Sequence, residues 1–209
     1  MLDRWTVQLI KPPLNVVAKA LVKANIKADH VTMAGFGFGI LVIPVLAWQK
    51  PLLALLLLGI NRLFDGLDGA IARQSRATER GAYLDIVLDF IFYSGFIFGF
   101  ALADPSRNAL PAAALIFSFM GTGSSFLAFA IFAEKLNLSS MVYPNKGFFY
   151  LSGITEGTET ILFFILMCLA PDYFPILAWL FFILCVVTTV TRVIGGAHTI
   201  EMAARQRQE

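Results

Sequence analysis

The chain has 209 residues, of which 58% are apolar or aromatic and only 14% are charged, whereas soluble domains average about 45–50% apolar and about 25% charged residues. A domain of this size cannot bury so much apolar surface, so the composition excludes a soluble globular protein and a disordered chain. The net charge of +2 gives no reason to expect a nucleic-acid partner. We expect the chain to lie in a lipid bilayer.

Residues 1–28 predict an amphipathic helix that lies on the membrane surface. Four lysines recur at helical intervals among apolar residues, and two adjacent prolines interrupt the segment. Such a helix places its cations toward the lipid headgroups and its apolar face in the membrane. The alternative is a soluble cytosolic helix.

Six segments further along have the length of a membrane-spanning helix, which needs about 20 mostly apolar residues. They are Val31–Trp48, Leu52–Arg73, Ala82–Leu102, Leu110–Phe132, Phe149–Leu169 and Phe174–Ala197. The sequence therefore predicts one all-α integral membrane domain over residues 1–209. Its parts are the interfacial segment, a six-helix transmembrane bundle over residues 31–197, and a cytoplasmic tail over residues 198–209.

The distribution of basic residues predicts the orientation of the bundle. An even number of spans puts both termini on one side, together with the second and fourth connections. Of the 16 lysines and arginines, twelve fall on that side, and only Lys50 and Arg107 fall in the opposite loops. Cytoplasmic loops carry such an excess, so both termini are predicted to be cytoplasmic, at the inner or plasma membrane if the source is bacterial.

Four aspartates fall inside the second and third spans, where ionisable groups are functional by default. Asp65 and Asp68 are three positions apart, and Asp85 and Asp89 are four apart, so each pair shares a helix face. At 1.5 Å per residue, Asp65 and Asp89 each lie about 12 Å from the cytoplasmic ends. Carboxylates in one layer repel unless they are protonated or bound to cations. They suit two Mg²⁺ or Mn²⁺ ions and phosphoryl chemistry, with a structural ion cluster or a proton or cation pathway as alternatives.

The stretch from Asp65 to Asp89, DGLDGAIARQSRATERGAYLDIVLD, resembles the signature of the CDP-alcohol phosphotransferase family. The family pattern is D-x2-D-G-x2-A-R-x8-G-x3-D-x3-D. Seven residues, rather than eight, separate Arg73 from Gly81 here. Of the Pro-Asn-x-x-Thr element that often precedes the first span in the family, only Thr32 matches.

The resemblance implies a role for each matching residue. Asp65, Asp68 and Asp85 would hold the metal pair. Asp89 would complete it and act as the catalytic base toward the acceptor hydroxyl. The implied CDP-binding residues are Thr32, Asp68, Gly69, Ala72, Arg73 and Gly81.

Glu156 and Glu159 lie three positions apart in the fifth predicted span, at about the depth of the aspartates. They either line an acceptor pocket or pair with Arg62 or Arg192, and the sequence leaves both interpretations open. The residues considered for the acceptor are Glu156, Glu159, Arg192, Lys146 and Arg76.

The resemblance implies transfer of a phosphatidyl group from CDP-diacylglycerol to an alcohol acceptor, with release of CMP. One alternative is transfer from a CDP-linked soluble alcohol to diacylglycerol. Another is an ion-coupled transporter with intramembrane carboxylates. We also expect a homodimer.

Overall fold

The computed structural model describes the backbone of residues 3–75, 77–136 and 154–206, and the side chains of residues 12–75, 77–136 and 154–205. Over these ranges the chain forms helices joined by short turns. The helices are α1 (Asp3–Lys23), α2 (Ala28–Ile40), α3 (Val42–Ala47), α4 (Pro51–Gln74), α5 (Glu79–Ala103), α6 (Pro105–Lys135), α7 (Gly157–Leu169) and α8 (Phe174–Gln206), with a 3₁₀ turn at Pro171–Tyr173 before α8.

Four stretches of the described residues are long and apolar enough to cross a membrane: Ala28–Ala47, Glu79–Ala103, Pro105–Lys135 and Pro171–Arg205. Large apolar side chains cover their outer surfaces, and Phe117 on α6 is 72% exposed. Helix α4 has 24 residues, about 36 Å, but contains four charged ones. Helix α7 has 13 residues, about 20 Å. The count of six spans therefore stays a prediction for these two helices.

The first predicted span is broken at Leu41, where α2 ends and α3 begins. The proline at position 44 explains the break. Proline has no amide hydrogen, so it cannot bond to the carbonyl four residues earlier in a continuous helix.

Three other boundaries differ from the sequence prediction. Helix α1 runs without a break through Pro12 and Pro13, which were expected to interrupt it. Helix α8 continues to Gln206, so the predicted tail is helical over most of its length. Helix α7 begins at Gly157, where Glu156 caps its first turn, so residues 154–156 of the predicted span are not helical. The predicted start at Phe149 lies outside the described residues.

Aromatic stacking fixes the apolar end of α5 against α7 and α8. The rings of Phe96 and Phe164 stack with centroids 4.2 Å apart, and those of Phe100 and Phe174 stack at 4.6 Å. All four side chains are almost completely buried. This packing holds the C-terminal half of α5. The two aspartates of α5 lie in its N-terminal half and face α4.

Glycines let α2 approach α4 closely. A Cβ atom at Gly35 would lie 2.6 Å from the Cβ of Phe64, and one at Gly39 would lie 2.7 Å from Asn61 Nδ2. Gly95 and Gly99 make the same kind of approach to α3. Close packing between helices therefore explains these four glycines.

Helix α1 packs against the end of α4 that carries the aspartates. Leu14 lies against Gly66, with its Cδ1 2.9 Å from the position of a Cβ there. The fully buried Ala18 joins Ala70 and Ile71 in a small apolar cluster. This packing covers one side of the aspartate-bearing segment.

Candidate functional site

Three of the four predicted aspartates come together between α4 and α5. Asp65 and Asp68 project from α4 and Asp85 projects from α5, and one carboxylate oxygen of each lies within 4.8 Å of the others. Asp68 is buried, Asp65 is half-buried and Asp85 is exposed. Clustered carboxylate oxygens are the ligands that hard divalent cations prefer, so the residues present fit such an ion.

Thr32 on α2 holds Asp68 in place. Its Oγ1 donates a 2.5 Å hydrogen bond to Asp68 Oδ2 and lies 3.1 Å from the carbonyl oxygen of Ala28. The bond is charge-assisted, so it is stronger than one between neutral groups. Thr32 thereby orients a carboxylate of the cluster from a third helix.

The fourth aspartate, Asp89, has a different environment. Arg62 of α4 binds both of its carboxylate oxygens, with Nη2 2.6 Å from Oδ1 and Nη1 3.4 Å from Oδ2. The hydroxyl of Tyr93, one turn further along α5, donates to Oδ2 at 3.0 Å. Arg62 also lies 3.6 Å from Asp65, so its guanidinium connects Asp89 to one member of the three-aspartate cluster.

Neighbouring side chains of α4 and α5 also hold Arg62 in place. Asn61 Oδ1 accepts hydrogen bonds from its Nε at 2.9 Å and its Nη2 at 2.6 Å. The guanidinium carbon lies 5.2 Å from the ring centre of Phe92 and 5.4 Å from that of Tyr93, within the range of a cation–π interaction. The sequence suggested Arg62 as a partner for a glutamate, and the structure pairs it with Asp89.

A cavity of about 690 Å³ opens beside the three-aspartate cluster. The α1–α2 turn, α2, α4 and the start of α5 form its wall. Five of the six predicted CDP-binding residues line it: Thr32, Asp68, Gly69, Ala72 and Gly81. The sixth, Arg73, lies beside it, because its Nη1 is 3.3 Å from where a Cβ at Gly69 would be.

An ion pair crosses the mouth of the cavity. Arg80 Nη1 on α5 lies 3.4 Å from Asp29 Oδ2 on α2, and both residues line the cavity. Gly81 permits this approach, because a Cβ there would lie 3.2 Å from Asp29 Oδ1. Thr78 caps α5 by accepting a hydrogen bond from the Gly81 amide at 3.0 Å. The mouth therefore contains charges of both signs.

The two glutamates lie in the first turn of α7, where they cap the helix reciprocally. Glu159 Oε2 accepts from the backbone amide of Glu156 at 3.1 Å. Arg192 on α8 donates to the carbonyl of Thr122 at 3.2 Å and lies over the ring of Phe126 at 5.6 Å. The other two acceptor candidates, Lys146 and Arg76, lie outside the described residues.

Sequence reasoning missed three residues of the site: Asn61, Tyr93 and Asp29. Tyr93 continues the four-residue spacing of Asp85 and Asp89, and this spacing could have predicted that it lies on the same helix face. Asn61 and Asp29 have no comparable signal, because their contacts depend on how α2 is rotated against α4 and α5.

The fold and the site define an integral membrane protein whose carboxylate cluster faces a cavity. The family model for CDP-alcohol phosphatidyltransferase matches residues 25–191. The chain belongs to this family, as the aspartate signature predicts.

The relatives extend over most of the chain. It is 50% identical over 206 residues to inner membrane protein YnjF of Escherichia coli K12, covering 99% of this chain and 100% of the relative. It is 30% identical over 112 residues to archaetidylinositol phosphate synthase of Pyrococcus horikoshii, covering 53% of this chain and 60% of that one. The first of these relatives agrees with a membrane location.

Two crystal structures of Mycobacterium tuberculosis phosphatidylinositol phosphate synthase, PgsA1, share the fold. The structure with CDP-DAG bound has a TM-score of 0.66 at 20% identity and covers 88% of this chain and 92% of that one. The complex with manganese and citrate has a TM-score of 0.65 at 20% identity, with 88% of each chain covered.

Proposed function

We propose that the protein transfers the phosphatidyl group of CDP-diacylglycerol to the hydroxyl of an acceptor, with release of CMP. The observation that carries this proposal is the three-aspartate cluster, of which Asp68 and Asp85 line a 690 Å³ cavity, in a chain of the CDP-alcohol phosphatidyltransferase family. The fold neighbour PgsA1 has CDP-DAG bound, which supports the choice of donor.

The cavity wall suits a donor that is both lipid and nucleotide. Val22, Ile26 and Ala28 form an apolar side, whereas Asp68 and Asp85 form a polar side. Acyl chains can stay in the bilayer while the diphosphate reaches the aspartates. We further propose that α1 is an interfacial helix and that α4 and α7 complete six spans. In this arrangement the cavity faces the cytoplasm.

The aspartate cluster would hold Mg²⁺ or Mn²⁺ through Asp65, Asp68 and Asp85. A divalent ion bound there supplies charge neutralisation for the donor diphosphate. The crystal structure of the fold neighbour PgsA1 in complex with manganese supports this class of ion. The sequence also predicts a second ion completed by Asp89, whose two oxygens are held by Arg62 and Tyr93 in the structure.

Asp89 is the proposed base. A carboxylate has about four acceptor positions. Arg62 occupies one acceptor position on each oxygen of Asp89, and Tyr93 occupies the second position on Oδ2. One acceptor position on Oδ1 is left for the substrate. The acceptor hydroxyl would give its proton to this oxygen and form a bond to the lipid-linked phosphorus. The bond from that phosphorus to the CMP oxygen breaks, and CMP leaves.

The remaining predicted residues have supporting roles. Arg73, beside Gly69 at the cavity edge, would pair with a donor phosphate. Glu156, Glu159 and Arg192 stay predictions for the acceptor site, as do Lys146 and Arg76. Inositol, its phosphate, glycerol 3-phosphate, serine and phosphatidylglycerol all offer a suitable hydroxyl.

The test is release of CMP by the purified chain in lipid nanodiscs. CDP-diacylglycerol with each labelled acceptor forms one arm, and a CDP-linked soluble alcohol with diacylglycerol forms the other. We expect CMP and a labelled phospholipid only in the first arm, and neither with Asp68→Asn. Turnover only in the second arm would reverse the assignment of the donor. Ion flux without CMP release in either arm would favour a transporter. Cross-linking in the same nanodiscs tests the predicted homodimer.

A further inference from the structure

We propose that three exposed lysines, Lys19 and Lys23 of α1 and Lys27 in the α1–α2 turn, form a lysine stripe that binds the headgroup of CDP-diacylglycerol at the membrane surface and guides it into the cavity. The stripe would select a lipid with a highly charged anionic headgroup over a zwitterionic one. This inference rests on the proposed function and on α1 as an interfacial helix, because it concerns how the donor of that reaction reaches the site.

The lysine stripe runs along α1 toward the cavity. Lys19 and Lys23 are four positions apart, so they lie on one face of α1. Val22, three positions after Lys19, lines the cavity, so this face lies next to the wall that α1 contributes. Lys27 lines the cavity itself, and its Cα atom is at most about 14 Å from that of Lys23, four residues earlier. The stripe therefore leads from the helix surface into the cavity.

The ammonium groups of the stripe are available to a ligand. All three lysines are exposed, and none of them forms an ion pair with another residue in the part of the chain that the structure describes. Arg80 also lines the cavity, but its guanidinium is paired with Asp29. Basic residues at a membrane surface attract anionic lipids, so the stripe has the charge that a nucleotide-bearing lipid requires.

An exposed valine on the same face indicates that the stripe meets lipid. Val16 lies three positions before Lys19 and seven before Lys23, which places it on their face of α1, and it is 71% exposed. Ala18, on the other side of the helix, is fully buried against α4. Lysine stems cover apolar surface while their charged ends reach outward, and basic amphipathic helices bind anionic membrane surfaces through such a face.

The charge of the donor explains what the stripe would contribute. The donor diphosphate is anionic, and Asp68 and Asp85 in the cavity wall repel it in the absence of a cation. Ammonium groups on the approach reduce this repulsion and raise the local concentration of an anionic ligand. The stripe would act on donor binding and leave proton transfer unchanged, so its removal should raise the KM for the donor without changing kcat.

The first test measures lipid association without turnover. Electron paramagnetic resonance gives the fraction of a spin-labelled lipid that the protein immobilises in phosphatidylcholine nanodiscs. We expect CDP-diacylglycerol to exceed phosphatidylglycerol, and both to exceed phosphatidylcholine, at equal mole fractions of the label. Added salt should reduce these differences, because it screens exposed charges. Equal immobilisation of all three lipids would overturn this inference and leave the proposed function intact.

Variants locate the effect on α1. Lys19→Gln/Lys23→Gln should lower the preference for CDP-diacylglycerol over phosphatidylcholine by about fivefold for each lysine removed. The KM for CDP-diacylglycerol in the CMP-release assay should rise by a similar factor, with kcat unchanged. Lys19→Arg/Lys23→Arg keeps both charges and should behave as the unchanged chain does.

Lys50→Gln is the matched control. Lys50 is exposed and immediately precedes α4, at the end of that helix opposite to the aspartates, so its removal should change neither the lipid preference nor the KM. An equal loss in Lys50→Gln, or no loss in the double glutamine variant, would contradict the inference. A preserved lipid preference without CMP release by the unchanged chain would instead contradict the proposed function.

Discussion

Thr32 and Asp68, 36 positions apart in the sequence, are joined by a 2.5 Å hydrogen bond between α2 and α4. The bond places the threonine in the cavity wall directly beside the aspartate cluster. Thr32 is also the one residue of the family's Pro-Asn-x-x-Thr element that this chain retains. Its hydroxyl therefore has a structural partner as well as a predicted role in nucleotide binding.

Replacement of Thr32 by valine tests this role. The change leaves Asp68 without its donor, and a hydrogen bond to a charged group contributes about 1.5–3 kcal/mol. We expect the KM for CDP-diacylglycerol to rise by roughly tenfold or more, with Thr32→Ser close to the unchanged protein. Thr191→Val is the matched control, because the Thr191 hydroxyl bonds only to carbonyls of its own helix among the contacts described. An equal effect in both valine variants would contradict a specific role for Thr32.

Chelation tests the metal requirement. Three clustered carboxylates and a donor diphosphate repel one another without a cation, so excess EDTA should abolish CMP release. Mg²⁺ or Mn²⁺ added back beyond the chelator should restore it. Turnover that persists in EDTA would rule out the proposed site chemistry.

Asp89→Asn separates proton transfer from binding. A positioned base contributes about 10²–10⁴-fold to the rate, so we expect kcat to fall by roughly that factor while CMP binding is retained. Asp65→Asn should instead weaken metal and nucleotide binding together. The measurements are kcat and the Kd for CMP in both variants. Equal loss of CMP binding would assign Asp89 to the metal site instead.

Gly35→Ala tests the close packing of α2 on α4. The added Cβ would meet Phe64 Cβ at 2.6 Å, and overpacking of this kind costs about 1–3 kcal/mol. Gly37, on the same helix, has no atom within 4 Å of its Cβ position, so Gly37→Ala should be neutral or stabilising by up to about 1 kcal/mol. Thermal unfolding in detergent measures both. Equal Tm values in the two variants would contradict the packing described.

Glu159→Gln tests the acceptor hypothesis without removing the helix cap. A glutamine oxygen can accept from the Glu156 amide as Glu159 Oε2 does, so the thermal stability should not change. We expect the KM for the acceptor to change and that for the donor to stay the same. An unchanged acceptor KM would leave Glu159 as a capping residue alone.

The sequence predicts the site better than it predicts the contacts within it. The spacing of Asp65, Asp68 and Asp85 places them on helix faces, and a helix hairpin brings those faces together, so their clustering could be foreseen. The partner of Arg62 could not, because pairing with Asp89 depends on the rotation of α4 against α5. Periodicity gives the apolar face of a helix but not the angle at which two faces meet.

The errors in the fold have local causes that hydropathy does not register. Proline 44 interrupts the first span although every residue near it is apolar. Glu156 starts α7 through its side-chain hydrogen bond to the first turn, whereas the apolar pattern predicted that residues 154–156 already belong to the span. Backbone hydrogen bonds decide these boundaries, and a running average of apolarity does not include them.

Gly39 restricts how this chain can diverge. A Cβ there would lie 2.7 Å from Asn61 Nδ2 and 2.9 Å from the ring of Phe92, and these two side chains support Arg62. One methyl group on α2 would therefore disturb an ion pair that forms between two other helices. A larger residue at position 39 is therefore compatible with the Arg62–Asp89 pair only if Asn61 or Phe92 changes as well.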